Sequence, residues 1–250
     1  MTQPALSIIV PAYDEERRIA PSLAAITEYM DRTGERYELI VVDDGSRDRT
    51  REVVAEAAAV HSSISLLAMP QNGGKGAAVR AGVLASRGRE VLFSDADLST
   101  PISELPRLRS AIAGGADVAI GSRAAGDREN VDQPWTRRLQ SRVFHLAVRA
   151  LGFAAVTTVK DTQCGFKLFR GGVARALFAQ LSLGGFAFDV ELLELATRRF
   201  RIAEVPVAWA HVDGSKVRPG IDAMKMLADL VRVRLAWMRR GRPRLALAEG

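Results

Sequence analysis

Along this chain, apolar residues fall alternately in short unbroken runs and at helical steps. Residues 6–10, 38–42, 64–68, 90–94 and 117–121 are runs rich in β-branched side chains and bounded by polar turns, the signature of strands. Between them, 21–32, 48–60, 75–86 and 103–113 carry helical spacing, and Pro21 suits a first helical turn. Strands alternating with helices predict an α/β fold, a mostly parallel sheet flanked by helices. Strands buried on both faces should read as continuous apolar runs, as these do. The second half is less regular. It predicts a polar loop at 124–135, a helix at 137–151, a strand at 166–170, a helix at 189–200 and a strand at 202–210. An amphipathic helix at 221–240 and a ten-residue tail from Gly241 complete it. There is no internal repeat, and a single domain over 1–240 is expected.

Composition narrows the classes. An apolar content of 48% over 250 residues is enough for a full core. A formal net charge of +6 favours anionic partners: phosphates, nucleic acid or acidic headgroups. Only 6% of residues are aromatic, so no stacking platform for nucleic acid is evident. The one cysteine, Cys164, excludes an internal disulfide and a cysteine metal cluster. The N-terminus lacks a signal-peptide pattern and no apolar run approaches a span of roughly 18 residues. A soluble or peripheral protein is the expectation.

The chemistry collects where the predicted strands end. Ligands of open α/β sheets bind at the carboxyl ends of the strands. Strand one runs into Pro11-Ala12-Tyr13-Asp14-Glu15-Glu16, strand two into Asp43-Asp44-Gly45-Ser46, strand four into Asp95-Ala96-Asp97 and strand five into Gly121-Ser122-Arg123. Helix capping accounts for one acid per loop, as at Ser46 and Asp48, but not for paired acids in two loops. Two carboxylates one residue apart, just past a buried strand, suit a hard cation that keeps positions open for phosphate oxygens. Gln71-Asn72-Gly73-Gly74-Lys75-Gly76 opens a helix without the Ser or Thr of a Walker loop. It reads equally as a diphosphate cradle or a plain strand-to-helix turn.

Taken together, Val10–Glu15, Val41–Ser46, Asn72–Gly76 and Asp95–Asp97 resemble the ordered motifs of family 2 glycosyltransferases with the GT-A fold. Asp161-Thr162-Gln163-Cys164-Gly165-Phe166, then Phe188-Asp189-Val190-Glu191, then Glu204-Val205-Pro206-Val207 are similar to its dolichyl-phosphate β-glucosyltransferase branch. The resemblance implies transfer of a hexose, glucose favoured, from a nucleotide diphosphate to a polyprenyl or dolichyl phosphate, with inversion and with Mg²⁺ or Mn²⁺. It assigns the nucleotide to Pro11, Tyr13, Glu15, Asp43, Asp44 and Lys75 within a half spanning about 1–123. Asp95 and Asp97 would meet the metal and diphosphate, Asp97 as direct ligand. In the acceptor half, 124–240, phosphates would meet Arg138, Ser141, Arg142, Gln163 and Lys216, with Arg123 at the junction. Asp189 would position the sugar, or act as base for an alcohol acceptor, and Glu191 would share the first role. Helix N-terminal acids are the competing reading of both. Ser99 stands where mannosyl relatives commonly carry Gln, which leans away from that branch. A polyprenyl monophosphate is already anionic, so alignment and charge neutralisation replace proton removal.

His211 is weighed as a third metal ligand, while Cys164 and His145 read as packing residues. The basic helix 221–240 suits a cytoplasmic membrane face, with Trp237 at the interface, or else packs on the sheet. UDP-glucose, a polyprenyl phosphate and the membrane surface are the expected partners, a membrane-protein partner is left open, and nucleic acid is not expected. The alternatives are a family 2 enzyme using mannose, an N-acetylhexosamine or another sugar, one with a non-lipid acceptor, and a silent scaffold. Processive synthases carry Q-x-x-R-W and membrane spans, which this sequence lacks.

Overall fold

The computed structural model describes residues 3–123, 146–154, 158–210, 212 and 220–243. Its strands are β1 (Leu6–Ala12), β2 (Tyr37–Asp43), β3 (Ile64–Ala68), β4 (Glu90–Ser94), β5 (Val118–Ser122), β6 (Phe166–Arg170) and β7 (Ile202–Pro206). Its helices are α1 (Ile19–Thr33), α2 (Thr50–Val60), α3 (Lys75–Ala85), α4 (Leu105–Ala113), α5 (Gly171–Ala179), α6 (Phe188–Ala196) and α7 (Ile221–Arg240). All seven strands join one sheet in the order β3-β2-β1-β4-β6-β5-β7.

The central strands explain the unbroken apolar runs. Along β1, Ile8 and Val10 enter the cluster on one face, with Leu92 and Leu168, while Ile9 enters the other with Val42, Phe93 and Ile120. Helices cover both faces, so neither face of the strand needs polar residues. β1 pairs in parallel with β2 and β4, and β2 with β3. The order therefore reverses between β1 and β4, the kind of switch point at which α/β sheets open a crevice.

β6 departs from the parallel pattern. It is antiparallel to both β4 and β5, while β5 and β7 are parallel. An antiparallel strand in that slot delivers the loop before it to the rim where its neighbours' carboxyl ends lie. Residues 161–165 thus join the loops after β1, β2, β4 and β5.

Several expected boundaries move. β7 stops at Pro206 rather than 210, where proline removes a ladder donor. α6 ends at Ala196 rather than 200. α5 was not anticipated; it begins with Gly171-Gly172, residues of poor helix propensity, but it buries Val173, Ala174, Leu177 and Phe178. Of the helix expected over 137–151, residues 146–150 are helical and 137–145 lie outside the described residues. α7 does pack, through Leu230, Val233 and Trp237. Trp237 meets Phe153 at 5.8 Å between ring centroids and is only 8% exposed, so the expected interfacial tryptophan is a core residue instead.

Candidate active site

Loops after β1 and β2 brace each other. The Asp14 amide donates to Ser46 Oγ, the Glu15 amide to Thr50 Oγ1 and the Arg47 amide to Asp14 Oδ1. Asp14 holds a positive φ of 51°, a strain of order 1 kcal/mol that these bonds offset. Glu15 is buried and takes both Nε and Nη2 of Arg18, while Pro11 and Tyr13 stand half-buried beside it. Asp43 is fully buried and accepts from the Gly45 and Ser46 amides and from Arg51 Nε at 2.6 Å.

Asp44 explains the glycine loop. Its two carboxylate oxygens accept the Gly73 and Gly74 amides at 2.7 and 2.9 Å. Burial holds its pKa above the ordinary carboxylate value, although these amides pull the other way. Gly74 has φ of 92°, and a Cβ there would come within 2.5 Å of the Gly184 carbonyl oxygen, so the position requires glycine. Ala77 donates to the same carbonyl. The loop is therefore clamped between Asp44 and residues 184–185, and it presents Lys75 at the start of α3.

Lys75 reaches across the switch point to Asp95, with Nζ 2.7 Å from Oδ1. Burial disfavours its charge, but Asp95 and Asp189 outweigh that and raise its pKa. Asp95 is held from below as well. Its amide donates to the Gly165 carbonyl, and a Cβ on Gly165 would collide with the Asp95 carboxylate. Asp97 is less engaged: its Oδ1 accepts the Ser99 amide at 3.0 Å. Leu98 between them has φ of 47°, and its amide closes a turn onto the Asp95 carbonyl. Backbone strain of this kind gathers at ligand clamps.

Arg123 follows β5 and is gripped by Asp161, through its amide at 3.0 Å and through Nε and Nη2 at 2.7 Å each. Burial alone would raise the Asp161 pKa; the hydrogen bonds and charge of Arg123 outweigh it and hold Asp161 below its usual range. Glu204 accepts the amides of Lys160 and Asp161, so β7 supports the same loop. Two polar atoms of this loop, Thr162 Oγ1 and Gln163 Nε2, are buried without a hydrogen-bond partner among the described residues. A buried donor left so costs about 1–3 kcal/mol, a deficit that a phosphate or sugar oxygen would relieve.

Asp189 sits beneath this rim rather than open to it. Its side chain is 3% exposed and pairs with Lys167 Nζ at 2.6 Å. That ammonium is itself fully buried and also donates to the Cys164 carbonyl. Burial raises the Asp189 pKa against the pull of Lys167 and Lys75. Glu191 turns elsewhere, accepting from Ser182 and Leu183. It fixes the segment that clamps Gly74. Its oxygens are thus engaged by the protein rather than presented at the rim. Cys164 is buried, with its thiol pushed up to about 11, and is inert.

Asp95, Asp97, Lys75, Arg123 and Gln163 are thus brought to one rim, with Pro11, Tyr13, Glu15, Asp43 and Asp44 on the adjoining loops. Arg138, Ser141, Arg142, His145, His211 and Lys216 lie outside the described residues. Lys167, Glu204, Arg18 and Arg51 were given no role from sequence. A lysine inside the apolar run Phe166–Arg170 was the available signal for the first of them.

A family model, glycosyl transferase family 2, matches residues 7–178. The chain belongs to glycosyltransferase family 2. Among this family's curated members, the dolichyl-phosphate beta-glucosyltransferase of Saccharomyces cerevisiae is 37% identical to it, covering 93% of this chain and 75% of the yeast protein. The Homo sapiens dolichyl-phosphate beta-glucosyltransferase is 35% identical over 93% of this chain and 76% of its own length. Of solved structures, Mycobacterium tuberculosis glucosyl-3-phosphoglycerate synthase in complex with Mn²⁺, UDP and glucosyl-3-phosphoglycerate aligns with a TM-score of 0.68. It is 22% identical and covers 96% of this chain and 81% of that one, a likeness of fold. The expected α/β, GT-A-type architecture is borne out, and so is the resemblance to the glucosyltransferase branch.

Proposed function

We propose that this family 2 enzyme transfers glucose from UDP-glucose to a polyprenyl monophosphate of the dolichyl type at the cytoplasmic face of a membrane. Similarity to dolichyl-phosphate β-glucosyltransferases over nine-tenths of the chain supports the donor sugar and the acceptor. The observation that carries the acceptor class is the state of Asp189. An alcohol acceptor must lose a proton to a general base, and Asp189 is the base considered for that role. Asp189 is sealed under the rim and neutralised by Lys167. A phosphate monoester has no such need: its oxygen attacks the anomeric carbon, the bond from that carbon to UDP breaks on the opposite face, and UDP leaves with the electron pair. The product is the inverted sugar phosphate.

The chain's own residues orient and neutralise. Pro11, Tyr13, Glu15, Asp43 and Asp44 are assigned to the nucleotide by resemblance, the last three bracing its loops through buried carboxylates, and Lys75 with the clamped glycine loop fixes Asp95. Arg123, held by Asp161, and Gln163 with its unmatched amide face the incoming phosphate, a task suited to a planar guanidinium. Arg138, Ser141, Arg142 and Lys216 are assigned to the same phosphates by resemblance. Asp95 and Asp97 offer the oxygen ligands that Mg²⁺ or Mn²⁺ takes. Among the described residues no group of three or more His, Cys, Asp or Glu could hold a metal. A cation here would be held by Asp95 and Asp97, with positions left for phosphate oxygens. When bound, it would neutralise charge on the leaving UDP.

The test is transfer of radiolabelled glucose from UDP-glucose into an organic-extractable polyprenyl phosphate, with GDP-mannose as competing donor. Label in the lipid with wild type and a loss of roughly a thousandfold in Asp97→Asn is expected. Transfer to an alcohol acceptor but not to a phosphate would refute the proposal.

A further inference from the structure

α7 is apolar on two opposite faces. Leu230, Val233 and Trp237 are buried against the protein. On the far side, Ile221, Met224, Val231, Leu235 and Met238 are exposed, Met224 by 73% and Met238 by 72%. They follow one another at steps of three, seven, four and three, with exposed Ala228 filling the gap, so they form one continuous stripe along five turns. Solvated surfaces rarely carry five large apolar side chains in a row, and such a stripe marks an interaction surface. Among the described residues no helix is long and apolar enough to cross a membrane.

Charge decides what covers it. Lys225, Arg232 and Arg239 are exposed and seven residues apart, so they line one edge of the stripe from end to end. The helix's acids, Asp222 and Asp229, lie further round, beyond that basic edge. Asp229 pairs with Arg232 from that side. The other edge carries Leu227 and Arg234. A second copy docked stripe to stripe would set basic edges against basic or apolar ones in either orientation, with no acid to receive them. An anionic bilayer accepts both features, the apolar side chains entering the acyl boundary and the cations meeting headgroup phosphates.

We propose that the Ile221–Met238 stripe of α7 is the face by which the enzyme rests on an anionic lipid surface. The inference rests on the polyprenyl-phosphate reading for its purpose, since that acceptor is embedded in a bilayer, but not for its test. The full chain is sedimented with vesicles of phosphatidylcholine alone or with phosphatidylglycerol, beside Met224→Ser/Leu235→Ser/Met238→Ser. The variant's side chains are exposed, so its melting temperature should match wild type. Wild type should bind the anionic vesicles, the triple variant at least about tenfold more weakly, and Lys225→Gln or Arg239→Gln about fivefold more weakly each. Glucose transfer to a water-soluble short-chain prenyl phosphate should be unchanged in all three variants. Equal vesicle binding by the triple variant would overturn the proposal. So would a wild-type dimer that the triple variant disperses, without vesicle binding. Loss of transfer to the short-chain acceptor in wild type would count against the reaction and leave the docking face standing.

Discussion

Replacing Lys167 with methionine strands Asp189 in the protein, and the consequence can be worked out as a function of pH. The carboxyl, with its side chain 3% exposed, loses the ammonium at 2.6 Å that neutralises it. It then has the option of taking up a proton. Protonating a carboxyl of ordinary pKa 3.8 at pH 7 costs about 4.4 kcal/mol, which bounds this part of the loss from above. At pH 5 the same step costs about 1.6 kcal/mol. Asp189 already has a raised pKa in the folded enzyme and would have a higher one in the variant. A carboxyl with a raised folded pKa binds more protons in the folded state, so its contribution to stability falls as pH rises above the unfolded value. The orphaned Cys164 carbonyl adds a cost of about 1–3 kcal/mol that does not vary with pH. Urea denaturation should therefore show Lys167→Met destabilised at pH 7 and recovering by up to about 2.7 kcal/mol at pH 5. Asp189→Asn strands the ammonium instead and should also be destabilised. Lys167→Met/Asp189→Leu removes both charges and should be less destabilised than either single variant. Equal destabilisation of Lys167→Met at the two pH values would refute the reasoning, because it would mean that Asp189 is not held charged by Lys167.

The other expectations concern the loops. Gly165→Ala drives a methyl into the Asp95 carboxylate and should cost roughly a hundredfold in kcat, with some loss of stability as the Lys75 pair is displaced, measured by initial rates and melting temperature. Asp44→Ala leaves the Gly73 and Gly74 amides unmatched; a loss of about 2 kcal/mol and a raised KM for the nucleotide sugar are expected, with kcat less affected. Asp161 has a lowered folded pKa, so its stabilisation is complete above the ordinary carboxylate value of 3.8 and is lost as pH falls through the folded value. Acid titration of the urea midpoint should show this fall in wild type and a shallower one in Arg123→Met.

What could be read from sequence follows the range of the interactions. The first five strands and four helices were legible because each carries its own periodicity, and the rim was legible because acids stood just past apolar runs. The unread parts are made by partners distant in sequence. Asp44, which the resemblance assigns to the nucleotide, holds glycine amides 29 and 30 residues on with its oxygens. Asp189 was open to two readings, catalysis or helix dipole, and it does begin a helix. Its environment is set instead by Lys167 on β6, and nothing local to either residue announces the pair. A lysine in an apolar strand is costly to bury alone, so its presence within Phe166–Arg170 already called for a partner somewhere in the fold. That requirement is the link between sequence and reaction. The lysine neutralises Asp189 and so removes the base considered for an alcohol acceptor, which is in keeping with the proposed acceptor that arrives already charged.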